Sequence, residues 1–436
     1  MSGMRVDIAA EHLEDAVFLT RQRGVAFGSH AQTVRTLSDL EERLLAHLDG
    51  AVLAQPVIWD VARDFLGSKD PAEAFVGGFL ALCGDSPDPF SEFEGALSGS
   101  PGADGLRLAC RLARGAASTE RLERLGRSES STLRSFALDA AVFRGGTCEP
   151  REVVALLSGE EPRTIRNGLE ITARLRTRGV EPAIRKCLKH AEPAVAAAAR
   201  RAGLLLGMGD AHAATAEAAA QPTAEGARAL AWLAMAGGAD AYDTLVGATS
   251  DPKRARAAFL ALATFGHPGA TTLLVSATAD PKLGRVAGHA LSALHGLNLK
   301  GMGLLRKEPA RQASGDELDD TYLDDDFPDP DPERIRIWWE GAGAQSAEPQ
   351  RVRGGQPISW KRMFDSLGAS PLPEREAVLL ECRLRLPEFR GIESRGWVSD
   401  QERGLPGLRD TLEAASKGRS AKTWPTLIDL LPQARR

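Results

Sequence analysis

The sequence predicts an all-α protein whose middle third is a solenoid of paired helices, and three observations predict it. Alanine and leucine dominate the composition while aromatics supply only 5% of residues. That balance favours helices, because Ala and Leu lose little entropy there whereas strands prefer β-branched and aromatic side chains. Proline and glycine punctuate the middle of the chain with a period of roughly 30 residues, the range in which stacked repeats are diagnosed. Between those marks apolar residues recur at three-and-four spacing, which gives each helix one apolar stripe.

The proline marks are Glu161-Pro162, Glu192-Pro193, Gln221-Pro222, Asp251-Pro252 and Asp280-Pro281. The glycine marks are Gly145-Gly146, Gly179, Gly207 with Gly209, Gly237-Gly238, Gly266 and Gly296. Each unit therefore reads as proline, apolar helix, glycine turn, second helix and the next proline. Proline suits the first helical turn, where its missing N–H costs nothing, and glycine suits the left-handed position after a helix ends. First-helix stripes include Ile165, Leu169 and Ala173, then Val195, Ala199 and Ala202, then Ala255, Phe259 and Leu262. Second helices carry Val153, Leu156 and Leu157, or Leu273, Leu274 and Ala277. Neither helix of a pair can bury its stripe alone, so neighbouring pairs must stack. Residues 126–300 are thus expected to hold about five HEAT-like helical hairpins plus a final helix.

Residues 1–125 read as an N-terminal helical region capping the repeats, without a clean period. Ser38 and Glu41 make a capping-box pattern before Leu44 and Leu48. Trp59, Ala62 and Leu66 form one stripe, and Phe75, Phe79 and Leu82 another after Pro71. The stretch from Asp85 to Gly105 is rich in Gly, Pro and Ser and reads as a long loop. Residues 301–333 read as an acidic linker: from Asp316 to Glu333 there are ten acids and no base, with Pro328, Pro330 and Pro332 to break any helix. Residues 334–436 make a mostly helical C-terminal segment, with a short strand expected near Arg351–Pro357 and helices over Trp360–Leu367 and Glu374–Leu386.

Composition excludes several classes. The net charge of −5 is too small to imply a partner by itself. The five cysteines are far apart and form no CxxC pair, which argues against a disulfide framework or zinc site and for reduced thiols in a cytoplasmic protein. The opening MSGMRVDIAAEHLED places acids where a signal peptide has its apolar run, and no stretch approaches the roughly 18 apolar residues of a membrane helix.

Catalytic and cofactor motifs are missing as well. There is no GxxxxGK[ST] loop, GxSxG elbow, HExxH or EF-hand loop, and Gly301 and Gly303 lack the third glycine of a nucleotide-binding turn. The eight histidines are dispersed; His289 and His295 are six apart and do not share a helix face. Capping, surface or core roles are expected for them, with no metal, no cofactor and no enzyme activity. The acidic arm offers oxygen ligands of the kind Ca²⁺ prefers, but lacks the glycine and terminal Glu of a loop site; a solvated linker is expected.

One stretch is strongly basic: Arg163, Arg166, Arg174, Arg176, Arg178, Arg185, Lys186, Lys189, Arg200 and Arg201, opposed only by Glu170, Glu181 and Glu192. Successive repeats could array these charges along one ridge. The ridge is then either an ordinary solvated face or an anion-binding surface for an acidic protein segment, the chain's own acidic arm included, or for nucleic acid. No aromatic interleaves the charges, which weakens base stacking. Trp338 and Trp339 are candidates to dock the C-terminal segment onto the repeats, or to serve as a hot spot for a partner.

The blocks EHLEDAVFLTRQR, LSDLEERLLAHLDG, DDDFPDPDPERIRIWWE and RVRGGQPIS together resemble a proteobacterial family of HEAT-like repeat proteins encoded near type VI secretion genes. The resemblance spans most of the chain, and its N-terminal and Trp-Trp blocks are its more specific parts. It implies an intracellular bacterial scaffold with no assigned reaction and no catalytic residues to carry over. The expectation is a non-catalytic protein-binding scaffold or adaptor with a secretion-system component as its partner. The alternative is a DNA-binding repeat protein that uses the basic ridge.

Overall fold

The computed structural model describes residues 6–307, 327–342, 351–386, 389 and 391–417. Most of the expected acidic linker, including Asp316 to Asp326, lies outside the described residues. The fold is all-α, with 21 α-helices and a single two-stranded hairpin among those residues. None of the helices is long and apolar enough to cross a membrane. By packing, the chain divides into two compact units. Unit 1 comprises Met1–Gly28, Gln32–Leu206 and Arg390–Pro406; unit 2 comprises Ser29–Ala31, Gly207–Phe389 and Gly407–Arg436.

Unit 1 begins with α1 (Val6–Ala26), α2 (Val34–Ala62), α3 (Pro71–Cys83), α4 (Pro87–Gly99), α5 (Ala103–Leu112) and α6 (Ala116–Gly126). It continues through α7 (Ser131–Phe143), α8 (Pro150–Leu157), α9 (Pro162–Leu175), α10 (Glu181–Cys187) and α11 (Pro193–Leu205). The odd-numbered helices α5, α7, α9 and α11 lie side by side in one layer. Each intervening helix packs chiefly on the layer helix that follows it: α6 on α7, α8 on α9 and α10 on α11. At α8–α9 and α10–α11 the hairpin of contact thus straddles the proline rather than the glycine. At Pro162 the punctuation works as the sequence predicts: proline occupies the first turn, and the Glu161 carboxylate accepts the Thr164 N–H at 2.7 Å.

Two expectations about the N-terminal region are corrected. The capping box of α2 lies at Thr33 and Thr36, not at Ser38 and Glu41. Glu41 is instead buried mid-helix, where it receives the Arg23 guanidinium at 2.8 Å and the Val398 backbone N–H at 2.7 Å. The stretch from Asp85 to Gly105 is not a long loop, because α4 fills most of it. Pro87 sits in the first turn, where proline is harmless, and Phe90, Phe93 and Leu97 bury one apolar face at helical spacing. Each such side chain contributes about 1.5–3 kcal/mol on burial, enough to outweigh the glycines and serines between them.

Unit 2 holds α12 (Gly209–Ala219), α13 (Ala224–Ala236), α14 (Ala239–Ala248), α15 (Ala255–Phe265), α16 (Thr271–Ala277) and α17 (Gly284–His295). Here α13, α15 and α17 form the layer, and α12, α14 and α16 each pack on the layer helix that follows. Its core joins Leu230, Leu233, Phe259, Leu262, Leu291 and Leu294. The later proline marks act differently from the earlier ones. Pro252 and Pro281 lie in turns ahead of α15 and α17, where Asp251 and Asp280 accept the N–H two residues on, at 3.0 and 2.8 Å.

After the repeats come α18 (Pro332–Ala342), a hairpin of β1 (Val352–Arg353) and β2 (Gln356–Pro357), α19 (Trp360–Ser366) and α20 (Leu372–Arg385). The final helix, α21 (Val398–Lys417), has its residues before Gly407 in unit 1 and the rest in unit 2. The expected short strand is present, and glycine punctuation positions it. Gly266 and Gly296 end α15 and α17 in the left-handed conformation, with φ of +77° and +68°. The hairpin lies directly on them: the Val352 N–H donates to Gly266 O at 2.7 Å and the Gly354 N–H to Ala293 O at 2.8 Å.

Each unit buries a carboxylate among arginines. In unit 1, Asp139 is fully buried and accepts from Arg111 at 2.7 and 2.8 Å and from Arg174 at 3.0 Å. In unit 2, Glu381 is fully buried and pairs with Arg351 at 2.5 Å, Arg385 at 2.9 Å and Arg353 at 3.0 Å. Burial alone would raise both carboxyls, but the surrounding guanidinium groups outweigh it and hold them below the ordinary range.

Candidate functional site

The described residues of unit 2 line a cavity of about 1070 Å³. One wall comes from the layer helices: Ala227, Ala231 and Met235 of α13, Ala257, Leu260 and Ala261 of α15, and Ser292 and Ala293 of α17. Small side chains on three successive helices leave the space open. The opposite wall comes from Ser359, Met363 and Ser366 at α19 and from Glu374, Ala377 and Val378 of α20, with Gly354 of the hairpin between. Four arginines, Arg228, Arg256, Arg353 and Arg362, contribute to the lining against one acid, Glu374, with Arg353 also paired to Glu381 and Arg228 to Glu225. Pockets that hold small molecules usually run to about 300–1,000 Å³, so this one has room for a segment of polypeptide.

On its wall stand His30, His289 and Glu374, whose ligating atoms all lie within 4.8 Å of one another. His289 Nε2 is 3.2 Å from Glu374 Oε1 and His30 Nδ1 is 3.7 Å from the same oxygen. The second distance is too long for a hydrogen bond, and His30 Nδ1 is fully buried without one. Phe327 closes one side, stacked on the His289 ring at 4.2 Å between centroids and edge-on to His30 at 4.9 Å. Burial lowers the proton affinity of His30 and is the largest influence on it. Burial would raise Glu374, but the contacts from His289 and His30 prevail and hold its carboxyl at about 2.

The other histidines largely fill the ordinary roles. His190 and His267 cap turns, accepting the N–H of Glu192 and Gly269 at 3.0 Å each. His295 Nε2 meets Thr271 Oγ1 at 2.8 Å. The cysteines provide no activated nucleophile: burial pushes the thiols of Cys110 and Cys382 up to about 12 and that of Cys83 up to about 11.

The basic stretch does not form one uninterrupted charged ridge. Arg174 is 5% exposed, held by Asp139 and by Glu393 at 3.0 Å. Arg201 pairs with Glu170 at 3.2 Å and Arg166 with Asp104 at 2.9 Å. Arg163 donates to Ser100 O at 2.9 Å, and Arg200 is half-buried. Arg178 is exposed and caps Leu206 O at 3.2 Å. Arg185, Lys186 and Lys189 are exposed on and just after the short α10. Arg163 and Arg166 do share a smaller cavity of about 360 Å³ with Arg107 and Asn167. Trp338 and Trp339 are half-buried, and their rings lie 5.6 and 6.3 Å from that of His295, which seats α18 against the repeats of unit 2.

Compared with protein-family profiles and with curated proteins, the chain matches none. The cavity and its His–His–Glu cluster are the features that sequence reasoning missed. Residues 30, 289 and 374 share no local spacing, so no motif could have joined them. A fainter signal was present in the alanines at 231, 257 and 293, small residues beside the apolar stripes of three layer helices.

Proposed function

We propose that this protein is a non-catalytic binding scaffold, and that the unit 2 cavity takes a protein segment carrying carboxylates beside apolar side chains. The observation that carries this reading is the lining itself: small and apolar side chains from three layer helices, with four arginines and one acid around them. Apolar burial would supply most of the affinity, and the arginines would select against basic sequences. The finer form of the proposal is a component of a bacterial secretion machine, bound in the cytoplasm. It rests on the sequence resemblance of the N-terminal and Trp-Trp blocks.

Peptide display tests it. A random library is selected on the wild-type protein and counter-selected on Ala231→Trp, which fills the cavity from an exposed position on α13. The expected outcome is enrichment of amphipathic sequences rich in Asp and Glu that lose affinity for the filled variant. Enrichment of basic peptides, or of peptides indifferent to the tryptophan, would refute it. The alternative of duplex DNA on the basic stretch draws less support, because Arg174 is buried and Arg166 and Arg201 are engaged by carboxylates.

A further inference from the structure

We infer that His30, His289 and Glu374 form a binding site for one divalent transition-metal cation, with Zn²⁺ the natural occupant, on the wall of the unit 2 cavity. The inference does not depend on what else the cavity holds. Two imidazoles and a carboxylate are the donor set of many mononuclear zinc sites that keep a coordination position open. Zn²⁺ bound at about 2.0–2.1 Å in tetrahedral geometry separates its ligand atoms by about 3.3 Å. The separations from Glu374 Oε1 are 3.2 Å to His289 Nε2 and 3.7 Å to His30 Nδ1. The third edge, between the two histidines, lies within 4.8 Å, so side-chain rotations would bring all three atoms onto one ion.

Three further facts favour a ligand over a mere hydrogen-bonded cluster. His30 Nδ1 is a buried nitrogen with no hydrogen-bond partner, a costly condition that coordination would relieve. The two imidazole rings stand 4.6 Å apart, and with Glu374 they bring three ligating atoms within 4.8 Å of one another. Phe327 stacks on His289 and fixes its ring plane, the kind of support that tunes a metal site. Among the cavity's arginines, Arg256 opposes a cation most directly, since it acts on His30 through space. The Glu374 carboxylate, 3.7 Å from His30 Nδ1, acts with the opposite sign.

The test uses the full-length protein, freed of any affinity tag and stripped with chelator, titrated with Zn²⁺ by calorimetry and with Co²⁺ by absorption. One equivalent of Zn²⁺ should bind, and Co²⁺ should give the intense visible bands of a low-coordinate site. His289→Ala, His30→Ala and Glu374→Gln should each weaken binding by more than about 100-fold, beyond the usual effect of second-shell changes. His47→Ala removes half of the other paired-histidine contact, His12 with His47 in unit 1, and should change nothing. Circular dichroism on each variant separates loss of the site from loss of fold; Glu374→Gln, nearly isosteric, remains informative if an alanine variant unfolds. Absence of stoichiometric binding to the wild type, or binding that survives Glu374→Gln and His289→Ala, would overturn the inference.

Discussion

The indole N–H of Trp397 donates to the backbone carbonyl of Leu112 at 2.9 Å, joining positions 285 residues apart within unit 1. Trp397 is 1% exposed, with the guanidinium groups of Arg23 and Arg114 over its ring at 5.1 and 5.4 Å. Around it Arg23 reaches Arg395 O and Gly396 O, and Glu393 holds Arg174. The segment before α21 is therefore part of the unit 1 core. Trp397→Ala should destabilise the protein by about 3–5 kcal/mol. Trp397→Phe should cost about 1–3 kcal/mol, chiefly by leaving the Leu112 carbonyl unpaired. Urea unfolding followed by circular dichroism measures both, and a Trp397→Phe variant as stable as wild type would contradict the role given to the N–H.

Asp139 and Glu381 are each surrounded by arginines, and removing either charge leaves buried cations unopposed. Asp139→Ala should cost about 3–5 kcal/mol, the range for breaking one side of a buried pair. Lys189→Ala, at an exposed position, should stay within about 0.5 kcal/mol of wild type. Thermal unfolding of the two variants side by side tests the contrast.

The same carboxylates set an acid limit. Asp139, Glu170 and Glu381 are held below the ordinary range in the folded protein, so the unfolded chain binds their protons first as pH falls. Their stabilisation is complete above the unfolded carboxylate range near about pH 4 and is lost progressively below it. The urea midpoint should decline modestly from about pH 6.5, where the unfolded chain first protonates His30, His267 and His295, and drop more steeply below about pH 4; a midpoint that rises on acidification would contradict the assignment.

Glycine has two opposite uses here. A Cβ on Gly266 would meet Val352 O at 2.5 Å, at a φ of +77°. Gly266→Ala should therefore cost more than about 1 kcal/mol and loosen the hairpin. Gly95 lies inside α4 with nothing within 4 Å of an added Cβ, so Gly95→Ala should stabilise by about 0.5–1 kcal/mol. Denaturant midpoints give both signs.

What was legible in the sequence was local. Pro162, Pro193, Gly266 and Gly296 mark helix ends because the constraints they satisfy involve only neighbouring residues. The apolar stripes are legible for the same reason. The misreading of α4 came from weighing Gly, Pro and Ser above the spacing of Phe90, Phe93 and Leu97. Arg174 reads as surface because its partners, Asp139 and Glu393, are 35 and 219 residues away. The same distance in sequence hides His30 from His289 and Glu374. A cavity, moreover, is made by what small side chains fail to fill, and a run of alanines looks alike whether it packs tightly or lines a space.

The most direct test of the binding role is hydrogen exchange on the complex with a display-selected acidic peptide. Protection on α13, α15 and α17 and on α19–α20, with α9–α11 unchanged, is the result expected of a segment seated in the unit 2 cavity. Protection confined to α9–α11, where the basic stretch lies, would contradict it.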